Sequence, residues 1–181
     1  MLYVARHPPT AAPGICYGQS DVAMALAPAD AARALEVQLA AVVPSSIACS
    51  PWARARTVAE ILGERWNVPV SVDARLSELS FGEWEGRAYT DLERDDPVRF
   101  AAWMRDWRTS SPPGGERIED LVARVGRWVD AWRATPLPTL LVTHAGVVRT
   151  FRALARGRRY EDLALEAVEP LRVESFPWEA L

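Results

Sequence analysis

The 181-residue chain contains no lysine; all 21 of its basic residues are arginine. That absence excludes Schiff-base catalysis by lysine and the lysine-bearing phosphate loop of Walker-type nucleotidases. Histidine is almost as scarce, with only His7 and His144 present. A three-histidine zinc site is therefore impossible. Together with Cys16 and Cys49 the histidines make four soft ligands without finger-like spacing, so neither a metal nor another cofactor is expected. Two cysteines are also too few for a disulfide-stapled secreted scaffold. Long apolar runs are missing. The longest stretch, Leu137 to Val148, is broken by Pro138, Thr139, Thr143, His144 and Gly146, well short of the roughly 20 residues of a membrane span. Only Leu2 to Ala5 precede Arg6, too little for the apolar region of a secretory signal. A net charge of −3 argues against a nucleic-acid surface, which needs concentrated positive charge. The expectation is a cytoplasmic protein with no membrane or nucleic-acid partner, in which local arginines hold any anionic ligand.

What is present is a 49% hydrophobic composition, enough for one compact domain over residues 1–181 to bury a core. Strand-like and helix-like segments alternate. Leu2 to Ala5 reads as a strand, followed by a Pro- and Gly-rich loop from Pro8 to Gly18. Pro28 to Val42 has helical composition, Ile47 to Cys49 is a short strand, and Trp52 to Trp66 is helical, with Pro51 as its start signal. Val68 to Val72 reads as a third strand, Thr90 to Arg108 as helix, Ser110 to Gly115 as loop and Glu116 to Trp132 as helix. Leu140 to Thr143 is a near-continuous apolar strand of the kind buried in a parallel sheet. His144 to Arg156 turns into helix, and Leu171 to Phe176 suits a final edge strand. This alternation predicts an α/β layered fold with a largely parallel sheet.

The polar residues that follow the predicted strands supply the functional clue. Arg6 and His7 follow the first strand, Ser50 to Arg54 the second, and His144 the Leu140 to Thr143 strand. In open α/β sheets, loops leaving the carboxyl ends of strands meet in one crevice where ligands bind. Taken singly, an Arg-His pair, a histidine at a strand end or an arginine on a helix is commonplace. Placed jointly, both histidines converge with two arginines on a site suited to phosphate, because guanidinium forks and helix N-terminal N–H groups match phosphate oxygens. Three carboxylates, Glu78, Glu83 and Glu85, compete for an acid role nearby.

Four segments, in order, resemble the histidine phosphatase superfamily that includes the cofactor-dependent phosphoglycerate mutases. "YVARHPP" is similar to the family's strand with Arg-His-Gly, with Pro8 in the glycine position. "CSPWARARTVAEIL" resembles its Ser-Pro-x-x-Arg-Ala segment, "LSELSFGEWEG" its acid-bearing segment, and "LLVTHAGVVR" the segment of its second histidine. The resemblance implies a three-layer αβα sandwich of the phosphoglycerate mutase kind. It implies His7 as nucleophile, Glu78 as proton donor in preference to Glu83 or Glu85, and His144 as the second catalytic histidine. Arg6 and Arg54 become the phosphate-binding arginines. Tyr17, Gly18 and Ala145 match positions near substrate. The implied activity is a metal-independent phosphomonoesterase acting on a small phosphorylated metabolite through a phosphohistidine. "GICYGQSD" and "PPGGERIEDLVARV" look most like the small phosphatases of the alpha-ribazole phosphatase type, which act in cobalamin synthesis.

Two departures stand out. Pro8 has no N–H to donate, and Pro13 and Gly14 occupy the region where many members carry an asparagine. A mutase-type phosphotransferase and a non-catalytic phospho-ligand-binding protein remain as alternatives. In relatives the segment between the acid and the second histidine covers the site, so a cap is expected within 87–115. Its Trp103 is a candidate for an aromatic wall, although core packing is the ordinary role for most of the eight tryptophans.

Overall fold

The computed structural model describes residues 1–134 and 138–181, so Leu137 of the long apolar stretch lies outside the described residues. Strand β1 spans Leu2–Arg6, β2 Ser46–Cys49, β3 Val70–Val72, β4 Thr139–Thr143 and β5 Val173–Phe176. They form one sheet in the order β3-β2-β4-β1-β5. All neighbours are parallel except β5, which runs antiparallel to β1 at the edge.

Alternating side chains divide the core between the two faces of the sheet. Leu140 and Val142 of β4, with Ile47, Cys49 and Ala5, pack against helices α1 (Pro28–Gln38) and α2 (Ala53–Trp66). Leu141, with Leu2, Val4 and Ala48, packs against Leu121, Val125, Trp128, Val147 and Phe151 on the opposite face. The result is a three-layer αβα arrangement, and the buried run of β4 is apolar because both its faces are covered. Burying each such Leu, Val or Ile contributes about 1.5–3 kcal/mol before conformational entropy is charged against it.

The Thr90 to Arg108 helix of the sequence pattern is broken. It forms α3 (Tyr89–Asp95) and α4 (Pro97–Arg105), and Asp96 between them has φ −137° and ψ 46°. Pro97 disfavours helical geometry at the residue before it and opens α4 without needing an N–H partner. Similarly, α2 begins at Ala53 and leaves Pro51 outside, its first N–H instead bonded to Asp21 Oδ1 at 2.8 Å. Two helices complete the second face, α5 (Ile118–Trp132) and α6 (Ala145–Arg156). A smaller core of Cys16, Trp84, Leu92 and Phe100 joins α3 and α4 to the loop after β1. Burial pushes both cysteine thiols up to about 12, so neither is a thiolate nucleophile at neutral pH.

Candidate active site

β1 and β2 flank β4, and their carboxyl ends are in register: Arg6 lies beside Thr143, and Cys49 beside Val142. The next residue of each strand therefore enters the same crevice. The His7 N–H bonds the Thr143 carbonyl at 2.8 Å and the Ser50 N–H bonds that of Val142 at 3.2 Å. The imidazoles of His7 and His144 come together with ring centroids 5.1 Å apart and planes at 64°.

A local bond chooses the tautomer of His7. His7 Nδ1 lies 2.7 Å from the Pro8 carbonyl oxygen. A carbonyl can only accept, so Nδ1 carries the proton and Nε2 keeps its lone pair. Pro8 thus supplies the group this position needs, despite lacking an N–H. Burial first, then the charges of Arg54 and Arg6, outweigh that carbonyl and press the His7 pKa down to about 3. His144 is fully buried, and burial followed by His7 and Arg54 holds its pKa well below the ordinary value. Its Nε2 lies 2.7 Å from Ser50 Oγ, while Nδ1 has no protein partner. Both rings are neutral at pH 7.

The arginines are anchored by backbone oxygens. Arg54 donates from Nη1 to the Ser20 carbonyl and from Nη2 to that of Gly18, each at 2.7 Å, and lies over the Tyr17 ring. Arg6 donates from Nη1 to the Val168 carbonyl at 2.8 Å. Neither guanidinium is spent on a carboxylate, and both keep a buried Nε without a partner.

Of the three competing carboxylates, only Glu78 lines the cleft. Its Oε1 accepts the Leu79 N–H at 2.9 Å and its Oε2 the Gly146 N–H at 3.0 Å. Arg124 fixes the same loop by donating to the carbonyls of Arg75, Ser77 and Glu78 while paired with Glu116. Glu83 is exposed and paired with Arg99. Glu85 accepts from the N–H groups of Gly18, Gln19 and Phe81 and from the Ser20 hydroxyl. Burial would raise its pKa, but these four bonds together hold it below the usual carboxylate range. Glu85 ties the loop that in turn anchors Arg54.

The cleft encloses about 350 Å³, and Arg6, His7, Tyr17, Arg54, Glu78 and His144 all line it. Gly18 and Ala145 do not: Gly18 acts through its carbonyl on Arg54, and Ala145 opens α6. A Cβ on Gly18 would lie 1.8 Å from the Leu79 carbonyl oxygen, so the close approach requires glycine. Trp103 is not a wall of the cleft. It packs edge-on against Phe81 and Trp84, and the aromatic lining is Tyr17, Phe81, Tyr89 and Tyr160. Arg124, Arg149 and Tyr160 carry no role in the sequence pattern, and Ser50 and Glu85 carry none beyond their place after β2 and among the competing carboxylates. Arg149 could have been found, because it lies one helical turn beyond Gly146 in "THAGVVR"; Tyr160 reaches the cleft only through tertiary packing. Among the described residues no cluster of three His, Cys, Asp or Glu side chains is suited to hold a metal. No helix among them is long and apolar enough to cross a membrane.

A crevice at strand ends, with two neutral imidazoles, three guanidiniums free of carboxylate partners among the described residues and one carboxyl group, defines a phosphoryl-handling site on an α/β sheet. The histidine phosphatase superfamily (branch 1) matches residues 2–179, and the chain belongs to that family. It is a phosphoric monoester hydrolase of the histidine phosphatase type. The adenosylcobalamin/alpha-ribazole phosphatase of Salmonella typhimurium is 29% identical over 184 residues, covering 99% of this chain and 89% of the relative. The alpha-ribazole phosphatase structure from Shigella flexneri superposes with TM-score 0.87 at 27% identity, covering 95% of this chain and 87% of the other. A mycobacterial glucosyl-3-phosphoglycerate phosphatase in complex with VO3 gives TM-score 0.81 at 30% identity, covering 95% and 88%.

Proposed function

We propose that this chain hydrolyses monoesters of small phosphorylated metabolites by way of a phosphohistidine at His7, with no metal. One observation carries the proposal: the His7 Nδ1–H is tied to the Pro8 carbonyl, which leaves Nε2 as a neutral nucleophile between two arginines. Nε2 attacks phosphorus in line, and the bond to the ester oxygen breaks as the N–P bond forms. Arg6, Arg54 and the free Nδ1–H of His144 stabilise the charge on the three equatorial oxygens. Glu78 gives its proton to the departing oxygen. In the second half, Glu78 takes a proton from water as that water attacks the phosphohistidine, releasing phosphate and restoring both groups.

The 87–115 segment acts as the cap, contributing Tyr89 to the cleft wall. Buried free thiols at Cys16 and Cys49 are in keeping with a reducing, cytoplasmic setting. Alpha-ribazole 5'-phosphate is one candidate ester, supported by the near-full-length relatives. An ester whose alcohol portion carries an anionic group is a second, favoured by Arg149, which lines the cleft and whose buried Nε has no partner.

The test is phosphate release from a panel of esters, with and without chelator, alongside a His7→Ala control. Rapid acid quench with labelled ester should trap label on the wild-type chain and none on the variant. Steady turnover with an unlabelled chain, or loss of turnover on chelation, would overturn the reading.

A further inference from the structure

Three arginine side chains in the described residues have a buried Nε with no hydrogen-bond partner: Arg6, Arg54 and Arg149. All three line the same cleft. Arg6 and Arg54 face the phosphate. Arg149 has the same partnerless Nε but takes no part in the proposed phosphate chemistry. Elsewhere, well-covered arginines have carboxylate partners, Arg124 with Glu116 and Arg152 with Glu174. A cleft-lining guanidinium with no carboxylate partner among the described residues keeps its donors available to an incoming anion.

Its position relative to Glu78 indicates which part of a ligand it meets. Glu78 Oε2 is bonded to the N–H of Gly146, and Arg149 lies three residues further along α6, about 4.5 Å up the same helix face. The buried Tyr160 hydroxyl lies within the influence of both Glu78 and Arg149, and burial raises its pKa to about 12, so it remains a neutral hydrogen-bonding group. Glu78 addresses the ester oxygen. Arg149 and Tyr160 therefore sit beyond that oxygen, on the leaving-group side.

We infer that Arg149 and Tyr160 form a second subsite that receives an anionic group, a carboxylate, on the alcohol portion of the substrate. The charge balance supports a monoanion. A phosphate dianion is met by two arginines, Arg6 and Arg54, whereas the second locus offers one guanidinium and one neutral phenol. A guanidinium binds a carboxylate by a charge-assisted fork of donors. A wholly neutral leaving group would leave the Arg149 charge unpaired in the closed complex. The inference rests on the phosphomonoesterase reading only for the order of the groups along the cleft.

Two matched pairs of esters test it: 3-phosphoglycerate against glycerol 3-phosphate, and 4-carboxyphenyl phosphate against phenyl phosphate. The wild-type chain should prefer the carboxylate member of at least one pair by about tenfold or more in kcat/KM, mainly through KM. Arg149→Met should collapse that ratio towards one, whatever happens to the absolute rates, and Arg149→Lys should restore part of it. Calorimetric binding of the same ligands to the His7→Ala chain reads the subsite without turnover. Failure of phosphate release with an intact carboxylate preference in binding would therefore count against the function and for the subsite. Equal kcat/KM and equal binding within both pairs, or a preference that survives Arg149→Met, would overturn the inference.

Discussion

Ser50 Oγ lies 2.7 Å from His144 Nε2 and is the side-chain partner of a fully buried imidazole whose other nitrogen has none. The backbone N–H of Trp52 approaches the same hydroxyl at 3.5 Å, so the Ser50 oxygen accepts there and its proton is expected to go to Nε2. The proton of His144 then resides on Nδ1, the nitrogen that has no protein partner. Ser50→Ala removes the bias and leaves a buried ring nitrogen unsatisfied, at a cost of about 1–3 kcal/mol in stability. Catalysis should fall further than this accounts for, with kcat down by about tenfold or more and vanadate affinity down in parallel. Normal vanadate binding in a destabilised Ser50→Ala protein would limit Ser50 to a packing role.

The two histidines also predict how stability depends on pH. In the unfolded chain each titrates near 6.5, whereas in the folded chain His7 titrates at about 3 and His144 well below its ordinary value. Below pH 6.5 the unfolded state therefore binds protons that the folded state refuses, so stability present above 6.5 is lost as the pH falls. Between pH 7.5 and 5 the loss is about 2 kcal/mol for His7, and His144 adds to it in the same direction. Urea unfolding at the two pH values should show the decrease in the wild type and a smaller one in His7→Gln. An unchanged midpoint in the wild type would mean that the imidazoles are not kept neutral by folding.

Much of this site is legible in the sequence because strand ends are. His7 and His144 each follow a short apolar run, and the parallel register of β1 and β4 brings them side by side. Arg54 is legible for the same reason, as the second residue of the helix after β2. Glu78 is not separable from Glu83 and Glu85 by residue type alone. The distinction is tertiary: Glu85 is taken up by four donors of the 18–20 and 81 backbone and side chains, and Glu83 by Arg99 in solvent. Trp103 misleads for a related reason. Its helical spacing marks a face, but only the packing of α4 on Trp84 and Phe81 determines that this face looks away from the cleft. Tyr160 lies on a 3-10 turn after α6 with no local signal of function.

Glu85 is predicted to act on phosphate binding without touching the ligand. Its carboxylate organises the turn at Gly18, Gln19 and Ser20, and the carbonyls of Gly18 and Ser20 hold Arg54. Glu85→Ala removes several charge-assisted bonds, costing about 1.5–3 kcal/mol of stability. The expected kinetic signature is a rise in KM and in the inhibition constant for inorganic phosphate of about tenfold, because Arg54 loses its fixed aim. Glu83→Ala is the control, since that side chain pairs only with the exposed Arg99. Equal effects of the two substitutions on phosphate inhibition would refute a specific role for Glu85.

Gly146 tests the placement of the acid. It is helical, so its need for glycine is not a matter of backbone angle. A Cβ built there falls 2.2 Å from Glu78 Oε1 and 3.1 Å from Leu121 Cδ2. Leu121 is in the closed core, which leaves Glu78 to give way, and the carboxyl must swing out of contact with the Gly146 N–H that holds it. Gly146→Ala would normally favour a helix by about 1 kcal/mol. Here the gain should be offset by the displaced carboxylate, giving little net change in thermal stability but a fall in kcat of about 10²-fold, the scale expected when a proton donor is mispositioned. The loss should be largest for esters of poorly acidic alcohols, which need the proton, and smallest for 4-nitrophenyl phosphate, whose leaving group departs without one. A uniform loss across leaving groups would place the damage at the phosphate and not at Glu78.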